Sequence, residues 1–492
     1  MEATFTHNFK STSPYQLGWV LLGIFTVILF RGILSPLFRI PGPWYTNWTG
    51  LVYKYETIKG RGPDYVHTLH KRYGPVVRVA PGSVDFADAE AVRQIHTVKA
   101  DYVKTDFYNN LPPDKISLFT TTDRETHRRH RKLLSQPMSE NGLKSMMPQI
   151  EEKVSLAIER MRDEMKTRGA VDVFKWWMFM ATDVIGQLSF GDSFHMLETG
   201  KKNKYIEDLE GAGFSGTVTT QFPILYQLVS IIPLPAVRAA KAINSRLSAY
   251  ANQSLERYRA QVKSSAEVKP MLFTRLMEGF TDGESISQLE IVNNAELYIV
   301  AGSDTTATTL TYLTWSLCRH PEIKSRLLKE LESLPDDFTD NHLKDLPFLN
   351  KCITETLRRY PVVPAGLPRY VPSGGAVIKG YWLPGGSVVT TQNWSLHRDP
   401  KIFPDPDRFN PSRWDKPTKG MKDVFMPFGG GSRICIGMHL AFIEIRLGIA
   451  RFFREFPQSK VSTLEDMNDK EMKQLLFFIS GPKSHRCLIE AR

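Results

Sequence analysis

The spacing of apolar and polar residues predicts a chain built mostly of helices. Apolar positions recur with the period of an amphipathic helix over 150–164, 287–319, 321–334, 350–360 and 438–456. Short runs at 76–79 and 388–391 are rich in β-branched residues, as strands are. The region 361–414 is rich in Pro and Gly, as turns are. We therefore predict a mainly α fold with a minor β-sheet region.

The N-terminal apolar run differs from these stretches because no charge interrupts it. The run covers 17–30, and the apolar pattern continues beyond Arg31 to Leu34. A bilayer span takes roughly 20 residues, so the run is slightly short and Arg31 has to extend its charge toward the headgroups. Lys10 alone precedes the run, whereas Arg31, Arg39, Lys54, Lys59 and Arg61 follow it. The positive-inside rule then places the body of the protein in the cytosol.

The alternative interpretation of this run is a cleaved signal peptide. Against it, no A-x-A-like cleavage site follows the run, and Pro41-Gly42-Pro43 is typical of a stiff hinge. We find no internal repeat or long linker after the hinge. The predicted organisation is a short lumenal N-terminus at 1–14, a transmembrane anchor at 15–35, a Pro-rich hinge at 36–46 and a single domain at 47–492.

Charge and cysteine content narrow the class of protein. The 492 residues carry a formal net charge of +11, which invites a nucleic-acid partner. However, the basic residues are spread along the chain apart from one cluster at 127–132, and no base-reading motif accompanies it, so we predict no nucleic-acid binding. The four cysteines, Cys318, Cys352, Cys435 and Cys487, show neither CxxC nor close spacing. This argues against a disulfide framework and a structural zinc site, and any functional cysteine acts alone.

The strongest chemical motif is the glycine-rich segment 428–437, Phe-Gly-Gly-Gly-Ser-Arg-Ile-Cys-Ile-Gly. Its glycines let the backbone approach a flat ligand closely. Cys435 comes just before the helix predicted from 438, whose free N–H groups can stabilise a thiolate. Phe428 can cover the sulfur, and Arg433 can pair with a carboxylate on the ligand.

Two other loop types and an inert core cysteine are the alternatives for this segment. A phosphate loop needs a following Gly-Lys-Ser/Thr, which is missing from the sequence. A dinucleotide fingerprint fails because Ile434 stands where its third glycine is needed. A lone buried cysteine is usually inert. However, an inert core cysteine does not require the specific ten-residue pattern that surrounds Cys435.

The segment resembles the haem loop of the cytochrome P-450 family, F-x-x-G-x-R-x-C-x-G. Its fixed positions are occupied by Phe428, Gly431, Arg433, Cys435 and Gly437. The resemblance covers nearly everything after the anchor. It implies the cytochrome P-450 fold, a haem-binding catalytic domain at 47–492, and haem b with Cys435 as the axial thiolate ligand of the iron.

A polar hexad, Ala301-Gly302-Ser303-Asp304-Thr305-Thr306, interrupts the long apolar helix 287–319. The Thr305 hydroxyl can bond back to the Ala301 carbonyl and open the helix locally. The alternative is close helix packing at small residues. The hexad is similar to the family pattern A/G-G-x-D/E-T-T. That resemblance implies that Thr305 hydrogen-bonds dioxygen, that Asp304 relays protons, and that Ala301 and Gly302 lie against the haem.

Glu355 and Arg358 form an E-x-x-R pair on one face of the predicted helix 350–360. Most such pairs are solvated and stabilise a protein little. In the family, the same pattern forms a buried network that an arginine from a later loop completes. Pro406-Asp407-Arg408-Phe409 matches that loop, so the resemblance implies Arg408 as the third member.

The basic cluster at 127–132 falls where the family has a W-x-x-x-R helix that binds a haem propionate. Arg131 matches the arginine, whereas His127 stands at the tryptophan position, which departs from the family pattern. Arg369 resembles another propionate-binding position. The alternative for the cluster is a solvated helix face, and its outward basic residues are candidates for docking an acidic reductase.

The resemblance also implies partners and location. The sequence contains no flavin or nicotinamide fingerprint, so we expect electrons from a separate NADPH–cytochrome reductase, with O2 as co-substrate. Together with the predicted anchor, the resemblance implies a single-pass protein of the endoplasmic reticulum membrane whose catalytic domain lies in the cytosol. Family-level mapping puts pocket walls at 107–119, 214–235, 362–367 and 475–479. These stretches are mainly apolar, which favours a neutral, lipophilic substrate.

The overall sequence pattern of the chain resembles that of fungal secondary-metabolism members of the family. That likeness suggests a sesquiterpenoid of trichothecene mycotoxin biosynthesis, hydroxylated at C-15 of isotrichodermin. The alternatives are oxidation of a polyketide or another terpenoid, a haem-thiolate isomerase or dehydratase that needs no reductase, and an anchored scaffold without chemistry. The intact Asp304-Thr305 pair argues against the isomerase, and the complete haem loop argues against the scaffold.

Overall fold

The computed structural model describes residues 14–98, 101–111, 115–232, 235–264, 271–273 and 286–491. The helices are α1 (Pro14–Ile33), α2 (Leu51–Ile58), α3 (Gly62–Tyr73), α4 (Ala89–His96), α5 (Arg124–Ser135), α6 (Glu140–Leu143), α7 (Met147–Arg168), α8 (Val173–Phe190), α9 (Met196–Thr199), α10 (Lys204–Gln221), α11 (Pro223–Ile231), α12 (Pro235–Ser264), α13 (Gln288–Arg319), α14 (Pro321–Leu331), α15 (Asp340–Lys344), α16 (Pro347–Arg359), α17 (Asn393–Leu396), α18 (Lys419–Val424) and α19 (Met438–Glu455). Short 3₁₀ turns occur at Trp44–Asn47, Lys144–Met146, Pro411–Trp414, Gly431–Arg433 and Leu464–Asp466.

The strands are short and form small sheets beside the helices. They are β1 (Val76–Ala80), β2 (Ser83–Phe86), β3 (Val103–Lys104), β4 (Val171–Asp172), β5 (Arg369–Tyr370), β6 (Ala376–Ile378), β7 (Tyr381–Leu383), β8 (Val388–Thr390), β9 (Lys460–Val461), β10 (Gln474–Leu476), β11 (Ser480–Pro482) and β12 (Leu488–Glu490). One sheet has the order β1-β2-β8-β5-β3, another β4-β12-β9, and β6–β7 and β10–β11 are two-stranded. The predicted mainly α fold with minor sheets is confirmed.

The first sheet brings distant basic residues together. Strands β3 and β5 pair antiparallel at its edge, with Lys104 opposite Arg369. Strand β8 joins β5 to β2, and its pairing with β2 is parallel. Because paired residues of neighbouring strands lie side by side, this register places Lys104 and Arg369 in one cluster.

Helix α13 is the central element of the core. It begins with a capping box, in which Ser287 and Glu290 satisfy each other's backbone N–H groups. Most of its side chains are buried, and it packs against α8, α12 and α19. The predicted helix 287–319 is thus confirmed almost to the residue. The hexad therefore lies within the central helix of the core.

The hinge is fastened to the body by a buried arginine. The Arg78 guanidinium on β1 donates to the carbonyls of Leu37, Phe38 and Ile40 over 2.7, 3.0 and 2.9 Å. It also donates to Thr46 Oγ1 over 3.1 Å. These carbonyls belong to no helix or sheet, so the arginine satisfies acceptors that regular secondary structure leaves without donors. The hinge is thereby fixed to the body in one conformation.

Helix α1 covers most of the apolar run, and its 20 residues match the predicted anchor closely. Among the residues that the structure describes, we find no helix with the length and apolar character that crossing a bilayer requires. The spanning anchor therefore stays a prediction. The lumenal segment predicted at 1–14 lies outside the described residues except for Pro14.

Candidate active site

The glycine-rich loop folds tightly in front of α19. The Cys435 N–H donates to the Phe428 carbonyl over 2.8 Å, and Gly437 is the residue from which α19 starts. Gly431 has a φ of +63°, and a Cβ there would lie 2.3 Å from the His96 carbonyl oxygen. Only glycine fits this close approach. The Phe428 ring packs against Phe442 of α19, with ring centres 5.2 Å apart.

Cys435 differs from the other three cysteines in its surroundings. Cys318, Cys352 and Cys487 are buried, whereas Cys435 is exposed. Burial raises the pKa of Cys318 to about 11. Desolvation by the surrounding protein also raises the pKa of Cys435, but the Gly437 N–H and the charge of Arg131 act in the opposite direction. Cys435 is therefore the one cysteine that is open to a ligand and has stabilising groups for a thiolate.

Four cationic side chains converge beside this loop. They are Lys104, Arg131, Arg369 and Arg433, which lie close enough for Arg433 to feel the charges of Arg369 and Arg131, and Lys104 those of Arg433 and Arg369. Within the described ranges no ion pair with a carboxylate is found for any of the four. Arg131 donates to the Ile434 carbonyl over 2.5 Å, and Arg433 donates to the Thr121 carbonyl over 3.3 Å. Burial and the nearby Arg369 lower the pKa of Arg433 to about 10. Clustered, partly buried cations are costly unless anions join them.

Tyr108 adds an unsatisfied hydroxyl to the same place. Its side chain is fully buried, and its OH has no hydrogen-bond partner within the described residues. Arg369 and Arg433 are close enough to affect its pKa. An orphaned buried hydroxyl beside unpaired cations is what a ligand with two carboxylates would satisfy.

His127 lies on the buried side of α5, near this cationic cluster. Burial, with the charges of Arg433, Lys104 and Arg131, lowers its pKa to about 3. The ring is therefore neutral at physiological pH. A neutral imidazole can donate one hydrogen bond to a ligand carboxylate, but it adds no charge to the cluster.

The residues of the hexad in α13 differ in their contacts and in their exposure. Thr305 Oγ1 donates to the Ala301 carbonyl over 2.7 Å, as predicted. A Cβ on Gly302 would lie 2.8 Å from Ile185 Cγ1, so Gly302 is required by the packing against α8. Ala301 is exposed and Thr305 partly exposed, although the helix is otherwise mostly buried. The predicted back-bond of Thr305 and the predicted close packing, here at Gly302, are both present, while the role of Thr305 toward dioxygen stays a prediction.

Aromatic rings form a wall near the cationic cluster. Phe119 lies 5.8 Å from Phe478 and 5.6 Å from Tyr108 between ring centres, and Phe107 lies 6.4 Å from Phe478. Phe107, Phe119 and Phe478 are all partly exposed. They belong to two of the predicted pocket walls. Residues 112–114 and 233–234 of the predicted walls lie outside the described residues.

The E-x-x-R pair is the centre of a buried network. Arg358 Nε and Nη2 donate to the two oxygens of Glu355, each over 2.8 Å, and both side chains are fully shielded from solvent. Arg358 Nη1 also donates to the carbonyls of His397 and Pro406, each over 2.8 Å. The pair thus ties α16 to the loop that precedes the glycine-rich segment.

The third member of this network is Arg413, and the prediction of Arg408 was wrong. Arg413 Nε donates to Glu355 Oε1 over 2.9 Å. Arg408 is exposed and contributes only its backbone carbonyl, which accepts from Arg358 over 3.4 Å. The physical reason is that the 3₁₀ turn Pro411–Trp414 packs on α16. That turn also directs the Trp414 Nε1–H onto Glu355 over 2.9 Å.

Comparison with known proteins agrees with this geometry. The chain matches the cytochrome P-450 family over residues 39–487. It is 44% identical to the cytochrome P-450 monooxygenase tazI of Aspergillus terreus over 98% of this chain and 99% of that protein. It belongs to the cytochrome P-450 family. It is also 41% identical to the monooxygenase orf2 of Aspergillus niger, over 96% and 97% of the two chains, and 32% identical to stcB of Emericella nidulans, over 99% and 94%.

As a cytochrome P-450, the chain is a monooxygenase that uses haem with a thiolate ligand. The residues present fit that group. Cys435 would supply the sulfur, the glycines of its loop allow a flat ring to approach, and the four cations with the Tyr108 hydroxyl would bind two propionates. The exposed Ala301 and the partly exposed Thr305 would contact the group from α13.

Sequence reasoning missed Lys104 and Arg413, and it placed Tyr108 in a pocket wall without predicting its position beside the cations. Lys104 and Tyr108 stand far along the chain from the glycine-rich loop, and only the register of β3 on β5 brings Lys104 to Arg369. Arg413 had a visible signal, because Asn410-Pro411-Ser412-Arg413-Trp414 follows the matched segment directly. Nothing in the sequence around Arg413 favours it over Arg408 as a partner of Glu355.

Proposed function

We propose that this protein hydroxylates a lipophilic secondary metabolite with O2 and electrons from NADPH. The observation that supports this most directly is the exposed Cys435 of the glycine-rich loop, whose neighbours include the cation Arg131. The partly exposed Thr305 hydroxyl on the mostly buried α13 supports it further. When bound, the haem supplies the activation of O2 by two electrons. The chain contributes the thiolate, a hydroxyl that holds and passes protons, and a water-poor chamber.

Asp304 and Thr305 are the proposed proton-delivery pair. Asp304 is partly buried on α13, one residue before Thr305. In the described structure the Thr305 hydroxyl proton points to the Ala301 carbonyl. Turning that hydroxyl away from the carbonyl would free it to donate to O2, and Asp304 would replace the proton.

The substrate is proposed to be apolar and to contact the aromatic wall. Phe107, Phe119 and Phe478 offer ring faces for such a molecule. Likeness to fungal secondary-metabolism enzymes motivates a sesquiterpenoid of the trichothecene type, with C-15 hydroxylation of isotrichodermin as the specific reaction to test. The relatives described above are named only as monooxygenases, so other terpenoids and polyketides belong in the same test.

We further propose that α1 holds the protein on the endoplasmic reticulum membrane, with the body in the cytosol. Among the α1 side chains that the structure describes, the large apolar ones are exposed, with Trp19, Phe25, Val27 and Phe30 at 73%, 62%, 67% and 54%. Exposed apolar surface of this extent is typical of membrane or protein contact. A separate NADPH–cytochrome reductase is the proposed electron donor. Deletion of residues 1–33 should release the protein from carbonate-washed membranes, and retention would contradict the anchor.

The decisive experiment compares two cysteine variants in membranes that contain the reductase. Cys435→Ala should abolish the red-shifted Soret band of the reduced CO complex and all product. Cys352→Ala, at a buried cysteine away from the loop, should keep both. Wild-type membranes should add one oxygen atom to a member of a terpenoid and polyketide panel, with NADPH consumed. Product formation without NADPH and reductase would instead show an isomerase or dehydratase.

A further inference from the structure

Lys115 forms an ion pair that the haem site does not use. Its Nζ donates to both carboxylate oxygens of Glu296 over 2.6 and 2.5 Å, and to Ser248 Oγ over 3.0 Å. The three bonds use all three donors of the ammonium group. The pair joins three parts of the molecule: segment 115–121, α12 through Ser248, and α13 through Glu296.

Two further contacts fasten the same segment to α13. Asn293 Nδ2 donates to the Ile116 carbonyl over 3.2 Å. The Leu118 N–H donates to Asn294 Oδ1 over 2.8 Å. Asn293, Asn294 and Glu296 thus lie along one helix and each bonds to the segment. The position of segment 115–121 is therefore tied to the helix that carries Thr305.

The far end of the segment carries a ring of the aromatic wall. Phe119 contacts both Tyr108 and Phe478. The Phe119 carbonyl accepts a hydrogen bond from Lys104, which belongs to the cationic cluster. The segment is therefore held at Lys115 by α13 and at Phe119 by the site itself, and the partly exposed Phe119 ring belongs to the aromatic wall.

The burial of the ion pair makes it a firm attachment. The Lys115 and Glu296 side chains are 19% and 9% exposed. Fully exposed pairs stabilise little because water competes for both charges. In a shielded pair, loss of one partner leaves the other charge without compensation, so the surrounding segment has to move to hydrate it.

We propose that Lys115 and Glu296 are positioning residues that hold Phe119 in the wall of the substrate chamber and so select ligands by their bulk. Neither residue touches the reacting atoms. The pair acts through the segment, and its loss should loosen one wall of the chamber while the haem site stays intact. This goes beyond the proposed reaction, because it concerns which molecules fit and not what is done to them.

The test is a ligand titration of the haem-loaded, full-length protein. Imidazole and 4-phenylimidazole both bind haem iron through nitrogen and shift the Soret band, and only the second probe carries a phenyl ring, which we expect to contact the wall. Lys115→Met keeps the aliphatic stem and removes the charge. It should weaken 4-phenylimidazole binding about tenfold, the range expected for a lost aromatic contact. Imidazole binding should change less than about twofold.

Two comparisons separate positioning from general damage. Phe119→Ala should weaken 4-phenylimidazole binding to a similar extent. Adding Lys115→Met to Phe119→Ala should have no further effect, because two substitutions that act through the same contact do not have additive effects on binding. Lys153→Met is the control, since the buried Lys153 pairs with the partly exposed Glu198 over 2.7 Å, between α7 and α9. That variant should leave both ligands unaffected.

Charge reversal provides the rescue. The double variant Lys115→Glu with Glu296→Lys should recover most of the 4-phenylimidazole affinity that either single reversal loses. If Lys115→Met yields no haem protein, Glu296→Gln replaces it in the cycle with Phe119→Ala. Additive effects, equal losses for both azoles, or an equal loss in Lys153→Met would overturn the proposal. Azole binding needs no turnover, so a failure of the proposed hydroxylation would leave this result unchanged.

Discussion

Arg413 Nε donates to Glu355 Oε1 over 2.9 Å, and the two side chains are only 7% and 0% exposed. Glu355 also accepts from Arg358, from the Asn410 N–H and from Trp414 Nε1. A carboxylate with this many donors is well compensated for its burial. Loss of Arg413 would remove a charged donor from this buried carboxylate and leave the Pro404 and Asp405 carbonyls without the donor that Arg413 supplies.

Arg413→Ala is expected to destabilise the haem protein strongly, whereas Arg408→Ala should not. The substitution removes a donor from the buried Glu355, and a hydrogen bond to a charged group contributes about 1.5–3 kcal/mol. Arg408 is exposed, so its substitution should change the free energy of unfolding by less than about 0.5 kcal/mol. Denaturant unfolding followed by the Soret band measures both variants. Equal stability of the two would contradict the network described here.

Arg358→Lys should fail for a related reason. Arg358 donates from Nε, Nη1 and Nη2 in a planar fork to Glu355 and to the His397 and Pro406 carbonyls. A lysine ammonium has three donors at a single point and cannot reach acceptors on both sides. The expected result is little or no CO-binding haem protein on expression. Arg359→Lys, at a half-buried neighbour, is the control and should express normally.

Lys104 is expected to contribute to haem retention. It is buried, and burial with the charges of Arg433 and Arg369 holds its pKa well below the usual range. Haem carboxylates would compensate this charge, so Lys104→Met should speed transfer of haem to apomyoglobin about tenfold. Lys153→Met, which removes another buried lysine, should leave the transfer rate unchanged. Unchanged transfer in Lys104→Met would exclude Lys104 from propionate binding.

Thr305→Ala should keep the thiolate-haem spectrum but divert electrons to hydrogen peroxide. The variant removes the accessible hydroxyl and leaves Cys435 and its loop untouched. Without a positioned proton donor, product per NADPH should fall about tenfold or more. Thr309→Ala is the matched control, since the Thr309 hydroxyl bonds back to the Thr305 carbonyl over 3.0 Å and is buried. Normal coupling in Thr305→Ala would remove Thr305 from proton delivery.

Much of the site was predictable where its residues are neighbours in the chain. The loop of Cys435 and the back-bonded Thr305 depend on local backbone geometry, which short sequence patterns express directly. The long helix was predictable for the same reason, since its period and its Ser287–Glu290 capping box are local signals.

Residues that join the site across the fold could not be predicted in this way. Lys104 reaches the cationic cluster only through the pairing of β3 with β5. Arg408 and Arg413 are both arginines of one loop, and only the packing of the 3₁₀ turn on α16 decides which of them turns inward. The Lys115–Glu296 pair depends on how segment 115–121 crosses α13. Tertiary packing determines these contacts, and local pattern carries little information about it.

His397 should make the protein sensitive to acid. Its side chain is fully buried between the aromatic rings of Phe403 and Phe425. Burial, with the charges of Arg358 and Arg398, lowers its pKa to about 3. In the unfolded chain a histidine has a pKa of about 6.5. The unfolded state therefore takes up a proton first as the pH falls, and stability is lost from about pH 6.5 downward.

The loss attributable to His397 at pH 5 is about 2 kcal/mol, since each pH unit below 6.5 contributes about 1.4 kcal/mol. His397→Phe fills the same apolar space and should flatten the fall in unfolding free energy between pH 7 and 5. His70 is the control of opposite sign. Burial lowers its pKa, but the hydrogen bond and charge of Asp85 outweigh this and raise it. Its stabilising contribution is complete below about pH 6.5 and is lost as the pH rises through the folded pKa, so the stability gap between wild type and His70→Gln should narrow toward alkaline pH. If His397→Phe loses stability in acid as steeply as wild type does, another buried group is responsible for the acid sensitivity.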